Sequence, residues 1–177
     1  DTAYVVTSDP QAIAIQTLGG ELRWVVSLPS VPTLAPVLAT PDTLLIAAGN
    51  AVLSLATVDG RLRWNKWTTL QGRIEDMAVD GEGRVFVTSN PGELVALDIA
   101  SGTELWRSVI PSGFSTSLAL GARKDLFVGA GRLTRVDRTT GALAWQREFY
   151  CITKLAIGAD YRVYVGDSDQ HVVCVHG

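Results

Sequence analysis

The residues in this sequence best suited to metal chemistry lie near its end, where His171, Cys174 and His176 form an H-x-x-C-x-H string. Imidazole and thiolate groups are the usual ligands of structural zinc. On a β-strand, side chains alternate between two faces, so Cys174 and His176 share one face while His171 points to the other. Two ligands are too few for a structural zinc site. The string therefore predicts an ordinary strand and no bound metal.

The two cysteines, Cys151 and Cys174, are too few for a disulfide framework and form no C-x-x-C pair. They fall on strands that a third strand separates, which predicts Cα atoms about 9 to 10 Å apart at the usual strand spacing. A disulfide tolerates at most about 7 Å. We therefore predict two free thiols, both mostly buried as small apolar side chains.

Other catalytic and cation-binding patterns are weak. Asp167, Asp169 and the segment Asp80-Gly81-Glu82 have the composition of hairpin turns, and they form no set of carboxylates and amides typical of a calcium site. Gly129-Ala130-Gly131 does not continue as a dinucleotide-binding G-x-G-x-x-G motif, and both histidines lie at the extreme end of the chain, which argues against a Ser-His-Asp triad. The sequence predicts no catalytic residue and favours a protein that is not an enzyme.

Composition limits the class of protein further. The 177 residues are 47% hydrophobic and 19% charged, which is typical of a globular chain. A net charge of −3 gives no basic surface for nucleic acid, and no apolar run approaches the length of a membrane span. Because the chain opens Asp1-Thr2-Ala3-Tyr4, without Met or a basic and apolar leader, we expect a processed or truncated product.

An internal repeat defines the elements that must position any site. In four segments a glycine precedes a tryptophan by four residues, and successive tryptophans are 40, 42 and 39 residues apart. The pairs are Gly20 and Trp24, Gly60 and Trp64, Gly102 and Trp106, and Gly141 and Trp145. A period near 40 residues is typical of β-propeller blades, each built from four short strands.

Short apolar segments provide the other strands of each unit. Their first residues lie a constant nine positions before an apolar residue of the following segment, which predicts a tight hairpin. These pairs are Val37 and Ile46, Met77 and Phe86, Leu118 and Phe127, and Leu155 and Tyr164. No long segment has a helical period. The fold class is therefore all-β: a propeller of four-stranded antiparallel blades.

The repeat places the whole of 1–177 in one propeller domain, with units near 1–30, 31–70, 71–111, 112–150 and 151–177. The first unit begins with Ala3–Val6 as a second strand, and the last stops after a third strand. The strand count is then three, four, four, four and three, which gives four to five blades in a ring that is incomplete or part of a larger one. Exposed strand edges of this kind need a covering partner.

The repeated residues have structural roles in this scheme. Each glycine lies in the turn between third and fourth strands, where a positive φ favours glycine. Each tryptophan offers a large flat surface for burial between adjacent blades, so we predict that all four indoles are largely removed from solvent. Stacking on a flat cofactor is the alternative, but four symmetric copies do not resemble one asymmetric site.

The segments Leu94–Trp106 and Val163–Val173 resemble the pyrroloquinoline-quinone-like, tryptophan-docking propeller repeat. This repeat occurs in quinoprotein dehydrogenases and in non-catalytic propellers, including the lipoprotein of the bacterial outer-membrane β-barrel assembly machinery. The resemblance implies a periplasmic or extracytoplasmic location. Its dehydrogenases carry two adjacent cysteines against the quinone and a calcium ion, whereas Cys151 and Cys174 are 23 residues apart. We therefore expect no quinone or other cofactor.

The sequence favours a non-catalytic recognition scaffold that binds another protein, or a ligand, or the remainder of a larger chain, through loops on one face of the propeller. The candidate binding residues are Trp67, Arg73, Phe114 and Tyr150, which are of types enriched at interfaces. Capping of the blades is the alternative role for the aromatic ones. Trp67 has no counterpart in other units and should be more exposed than the repeated tryptophans. Two alternative functions stay open: a sensor or docking propeller of a multidomain enzyme such as an adenylate-forming enzyme or a kinase, and a remnant of a quinone-dependent dehydrogenase.

Overall fold

The computed structural model describes residues 1–67, 70–90, 92–110, 117–148, 153–167 and 169–176, and for residues 66 and 67 it describes the backbone alone. These residues form 18 strands. They are β1 (Thr2–Val6), β2 (Gln11–Gln16), β3 (Leu22–Ser27), β4 (Val37–Thr40), β5 (Thr43–Ala48), β6 (Ala51–Ala56), β7 (Leu62–Trp67), β8 (Ile74–Val79), β9 (Arg84–Ser89), β10 (Glu93–Asp98), β11 (Glu104–Val109), β12 (Ser117–Leu120), β13 (Asp125–Gly129), β14 (Leu133–Asp137), β15 (Leu143–Arg147), β16 (Ala156–Ile157), β17 (Arg162–Gly166) and β18 (Val172–His176).

The strands form five antiparallel sheets in chain order. The first sheet holds β1 to β3, the next three hold β4 to β7, β8 to β11 and β12 to β15, and the last holds β16 to β18. This is the predicted distribution of three, four, four, four and three strands. The all-β propeller class predicted from the repeat is confirmed. In the described part of the chain, no helix has the length and apolar character needed to cross a membrane.

The predicted hairpin between first and second strands is present in four sheets. One equivalent facing pair in each of these sheets is eight positions apart: Val37 and Leu45, Ala78 and Phe86, Ala119 and Phe127, and Ala156 and Tyr164. In an antiparallel pair of this kind, facing residues share a side of the sheet. The nine-residue offset read from the sequence therefore joins residues on opposite sides, such as Met77, which faces Val87 rather than Phe86.

Four hydrophobic clusters join the five sheets, one at each boundary between neighbours. At the boundary between the third and fourth sheets, for example, Phe86 packs with Leu126 and Val128, all fully buried. Burying a side chain of this size contributes about 1.5 to 3 kcal/mol. Each sheet therefore depends on its neighbours for stability, as expected of repeated units.

A tryptophan of each of the first three sheets also docks on the following sheet. The indole Nε1 of Trp24 donates to the carbonyl oxygen of Thr57 at 2.9 Å, and that of Trp64 donates to Ile99 at 2.9 Å. Trp106 repeats the contact with Arg138 at 3.2 Å. Each accepting residue comes three positions before the motif glycine of the next unit.

The motif glycines receive these indoles at close range. Gly60, Gly102 and Gly141 have φ values of +72°, +70° and +75°. A Cβ atom at Gly60 would lie 2.8 Å from the ring of Trp24, and a Cβ at Gly102 would lie equally close to Trp64. Glycine is therefore required twice over, by the left-handed backbone and by the approach of the ring.

Tryptophan burial is less uniform than the sequence predicts. Trp24 is 8% exposed, whereas Trp64, Trp106 and Trp145 are only half-buried. All four lie on the outermost strand of their sheets.

The prediction that Cys174 is mostly buried is wrong. Cys174 is a free cysteine, and its side chain is exposed. It lies on β18, which pairs only with β17 among the described residues, and it faces Tyr164 across that pair. No further strand or sheet covers this side of β18 in the described part of the chain. Cys151 lies outside the described residues.

Candidate interaction site

The longer connections between strands lie along one edge of the five sheets. Segments that lead from an outer strand to the next inner strand reach this edge together with the tips between second and third strands. They contact each other directly: Thr33 N donates to Ala47 O at 2.9 Å, and Ile74 N donates to Gly49 O at 3.0 Å. We call this edge the loop face. The opposite edge, which carries the short turns such as 80–83 and 57–61, is the turn face.

Of the four binding residues predicted from the sequence, only Arg73 has a described side chain. It directly precedes the inner strand β8 on the loop face, and it is 66% exposed. The backbone of Trp67 ends β7 and faces Ala51, but its side chain is outside the description. Phe114 and Tyr150 also lie outside the described residues. Whether these four residues form one surface stays a prediction.

The short segment that carries Arg73 is held at several points. Leu70 is 3% exposed and belongs to the hydrophobic cluster between the second and third sheets. The backbone N–H of Gln71 donates to Glu93 Oε2 at 2.6 Å, and the carbonyl oxygen of Arg73 accepts from Asn90 N at 3.4 Å. These contacts fix the backbone of Arg73 relative to the third sheet.

Gly72 is the residue that permits this close approach. Its φ is +74°, a left-handed conformation that residues other than glycine rarely adopt. A Cβ atom at this position would lie 2.1 Å from the carbonyl oxygen of Asn90. A larger residue would therefore push the segment, and Arg73 with it, away from the third sheet.

Two ion pairs, Arg73 with Glu75 and Lys154 with Asp76, meet at the consecutive residues Glu75 and Asp76, and we call these four residues the charged cluster. The Arg73 Nε and Glu75 Oε1 atoms are 3.7 Å apart, and the Lys154 Nζ and Asp76 Oδ1 atoms are 3.0 Å apart. The two acidic side chains are 23% and 13% exposed, whereas Lys154 is 73% exposed. Each pair thus combines a well-exposed cationic group with a largely covered carboxylate.

The backbone of β8 explains how both carboxylates reach this place. The register with β9 shifts between Ile74, which faces Ser89, and Asp76, which faces Thr88, so Glu75 is an extra residue in a β-bulge. Bulges redirect side chains and are frequent next to functional sites.

Asp76 also connects neighbouring units. Its Oδ2 accepts from the backbone N–H of Leu118, on the inner strand of the fourth sheet, at 2.9 Å. Its other oxygen pairs with Lys154, which precedes the inner strand of the fifth sheet. Asp76 therefore ties three inner strands together at the loop face. The sequence signal that points to it is a pair of acidic residues, Glu75-Asp76, at the start of an otherwise apolar inner strand.

A second charged group lies on the turn face. Asp80, whose side chain is 1% exposed, pairs with Arg84 Nε at 2.8 Å and with Arg138 Nε, from the next unit, at 3.5 Å. Burial is the largest influence on the pKa of Asp80 and would raise it. Hydrogen bonds from Arg84 and from the N–H of Glu82 outweigh that influence, so the pKa lies below its ordinary value. This group links the third and fourth sheets.

Asp167, Asp169 and His171 place one potential metal ligand each within 4.8 Å of one another. Asp167 Oδ1 already accepts from the backbone N–H groups of Asp169 at 3.0 Å and His171 at 2.9 Å. These are contacts of a turn, in line with the turn composition read from the sequence. His171 lies in this turn, and Cys174 and His176 follow on one side of β18.

Comparison with known proteins gives the same architecture. A family model described as "Outer membrane protein assembly factor BamB" matches residues 66–176 of this chain. BamB from Moraxella catarrhalis is 21% identical over 99% of this chain and 58% of its own, with a TM-score of 0.81. No curated protein matches the sequence.

Other solved structures superpose as well. The computationally designed Ika8 protein is 16% identical over 99% of this chain and 55% of its own, with a TM-score of 0.83. The WD40 propeller domain of Doa1 is 14% identical over 98% of this chain and 60% of its own, with a TM-score of 0.78. At such identities the likeness shows the propeller fold alone. The chain spans a little more than half the length of each of these structures.

Proposed function

We propose that this chain is a non-catalytic scaffold which binds another protein. The premise is that the chain belongs to the family of quinoprotein-like propeller repeats described as the assembly factor BamB. The binding surface is the loop face. The observation that carries this proposal is the charged cluster of Arg73, Glu75, Asp76 and Lys154, which lies at the start of the inner strands β8 and β16.

The charged cluster is suited to recognition because its two cationic groups are held in place and still have hydrogen-bond donors to offer to a partner. A guanidinium group offers five N–H donors and an ammonium group offers three. Arg73 pairs with the carboxylate of Glu75 at 3.7 Å, and its side chain is 66% exposed. A partner carboxylate could accept two parallel hydrogen bonds from such a guanidinium group.

Rigidity favours this use of the cluster. Contacts of Leu70, Gln71 and Ile74 fix the segment before β8, and the backbone N–H of Leu118 fixes Asp76. A preorganised side chain loses less conformational freedom when a partner binds, so more of the contact energy appears as affinity. Loops on a rigid scaffold are where propellers and other repeat folds carry recognition.

Neutralising both cations should weaken partner binding. The double variant Arg73→Gln and Lys154→Gln keeps side-chain size but removes both charges. We expect its affinity for the partner protein to fall by about tenfold or more, because interface arginines are often among the residues that dominate binding. The measurement is affinity capture from extracts of the producing cells on immobilised wild-type and variant protein, with each retained protein quantified.

Arg61→Gln is the matched control, because Arg61 is an exposed arginine of the turn face. The immobilised Arg61→Gln protein should capture the same proteins from the extract as the immobilised wild type does. Equal capture by all three proteins would show that the charged cluster does not take part, and capture lost equally in the control would place the binding surface elsewhere.

A further inference from the structure

An apolar groove lies between the first and second sheets, along the outer strands β3 and β7. Its lining includes Val26 of β3, Leu53 and Leu55 of β6, and Leu62 of β7, and its volume is about 530 Å³. Binding pockets commonly have volumes of about 300 to 1,000 Å³. All the lining residues fall within 26–65, so the groove is internal to two consecutive units. We call it the outer-strand groove.

The floor of this groove is part of the core. Leu28, Leu53 and Leu55 are 8%, 2% and 3% exposed and belong to the hydrophobic cluster that joins the first two sheets. The backbone N–H of Leu28 donates to the carbonyl oxygen of Pro10 at 2.7 Å, which fixes this wall to the segment before β2. Leu62 is 50% exposed. The groove therefore combines a rigid aliphatic floor with a leucine that the described residues leave half-covered.

The corresponding place between the second and third sheets holds charged side chains. Glu104 and Arg107 of the third sheet occupy the positions that Leu62 and Asn65 have in the second sheet. The Arg107 Nη2 and Glu104 Oε2 atoms are 2.8 Å apart. This place therefore holds an ion pair, whereas the first boundary has a leucine and an asparagine there.

Polar side chains also occupy this place between the third and fourth sheets. Thr134 and Gln146 take the positions of Leu53 and Asn65, and Gln146 Nε2 donates to Thr134 Oγ1 at 3.0 Å. Within the described part of the chain, the first of these three boundaries alone has no polar contact between side chains at this place. The apolar groove is therefore particular to the first two units.

Arg61 lies at the turn-face end of the groove. Its backbone is fixed, because its N–H donates to Asp59 Oδ1 at 3.0 Å and its carbonyl oxygen accepts from Ala56 N at 2.8 Å. Arg61 is exposed, and no described residue forms an ion pair with it. A guanidinium group can bind a carboxylate through two parallel hydrogen bonds. The charge at this end of the groove therefore complements an anionic head group.

We propose that the outer-strand groove binds an aliphatic carboxylate, with its hydrocarbon chain along Leu53 and Leu55 and its carboxylate on the guanidinium group of Arg61. Burial against this floor stabilises a hydrocarbon chain at every methylene group. An extended peptide would instead place backbone N–H and C=O groups over aliphatic side chains, where they lack hydrogen-bond partners. The site shares no residue with the charged cluster of the loop face.

Isothermal titration calorimetry of the intact chain with decanoate tests this site. We expect saturable binding of one decanoate per chain. Hexanoate keeps the carboxylate but has a shorter hydrocarbon chain, so it should bind at least about tenfold more weakly. Decyltrimethylammonium keeps the length of the hydrocarbon chain but carries a cation, which Arg61 repels, so it should also bind at least about tenfold more weakly.

Variants of exposed residues localise the binding. Leu62→Asp places a negative charge beside the hydrocarbon chain and should weaken decanoate binding by about tenfold or more. Leu143→Asp is the matched control and should bind decanoate as the wild type does, because Leu143 has the same position in the fourth sheet and is also 50% exposed. Arg61→Gln removes the guanidinium group and should weaken decanoate binding by about tenfold. The Arg73→Gln and Lys154→Gln variant should bind decanoate normally, so this site and the proposed function are tested independently.

The proposal would be overturned by the absence of saturable binding, by equal affinity for hexanoate or decyltrimethylammonium, or by undiminished affinity in Leu62→Asp or Arg61→Gln. Equal losses in Leu62→Asp and Leu143→Asp would mean that decanoate binds elsewhere on the chain. Binding of the peptide acetyl-Leu-Ala-Leu-Ala-Leu, with a free terminal carboxylate, and not of decanoate would show that the groove accepts a protein segment instead.

Discussion

Replacing Trp24 with alanine should lower the free energy of unfolding by about 3 to 5 kcal/mol, the range for truncating large aromatic side chains in cores. Trp24 is 8% exposed and packs against Tyr4, with ring centroids 5.9 Å apart. Its removal opens a cavity between the first two sheets beside Gly60, and it also removes the hydrogen bond to the carbonyl oxygen of Thr57. Urea unfolding followed by far-UV circular dichroism measures the change.

Leu22→Ala is the matched control for this variant. Leu22 is on the same strand, two residues before Trp24, but it is 62% exposed. Its truncation should change the free energy of unfolding by no more than about 0.5 kcal/mol. Similar losses in the two variants would mean that the docked indole is not a main contact between the first and second sheets.

Replacing Asp80 with alanine should cost about 3 kcal/mol, because removing one partner of a buried ion pair strands the other charges. The side chains of Arg84 and Arg138 are each 12% exposed, and both approach Asp80. Among the described residues, only Glu82, whose side chain is 52% exposed, would still pair with them. The same unfolding experiment at neutral pH measures this loss.

Acid should reduce the difference between this variant and the wild type. The pKa of Asp80 is lower in the folded chain than the ordinary value of 3.8, so ionised Asp80 stabilises the fold above that pH. This contribution is lost as the pH falls below 3.8 through the folded-state pKa. The stabilities of the wild type and Asp80→Ala should therefore approach each other as the pH falls below 3.8, because only the wild type carries this group.

The ion pair between Arg132 and Glu148 provides the control. It joins exposed side chains, with Glu148 80% exposed. Glu148→Ala should lower the free energy of unfolding by less than about 1 kcal/mol. If Asp80→Ala costs no more than this variant, the buried ion network does not hold the third and fourth sheets together.

The blades could be predicted from the sequence because the same local motif, a glycine four residues before a tryptophan, occurs four times. Gly60 and Trp64 mark a turn and an outer strand, and the spacing to Gly102 and Trp106 gives the length of a complete unit. Strand number and order follow from these local signals. The repeat predicts that Trp64 docks between adjacent blades, whereas its hydrogen bond to Ile99 is seen only in the structure.

The charged cluster could not be predicted, because its members come together only through packing of three units. Asp76 and Lys154 are distant in sequence, and a β-bulge at Glu75 sets the direction of the carboxylate. A bulge has no clear signature in this segment. The exposure of Cys174 escaped prediction for a related reason: alternation along β18 gives its side of the strand, but whether another sheet covers that side is a property of the assembly.

Site-specific photo-crosslinking in the producing cells tests the central claim, that the loop face binds another protein. A photoreactive amino acid replaces the exposed Gln71, beside the charged cluster, or Val58 on the turn face, which is 78% exposed. We predict a covalent adduct with a second protein from position 71 and none from position 58. Adducts from position 58 alone, or from neither position, would contradict the account.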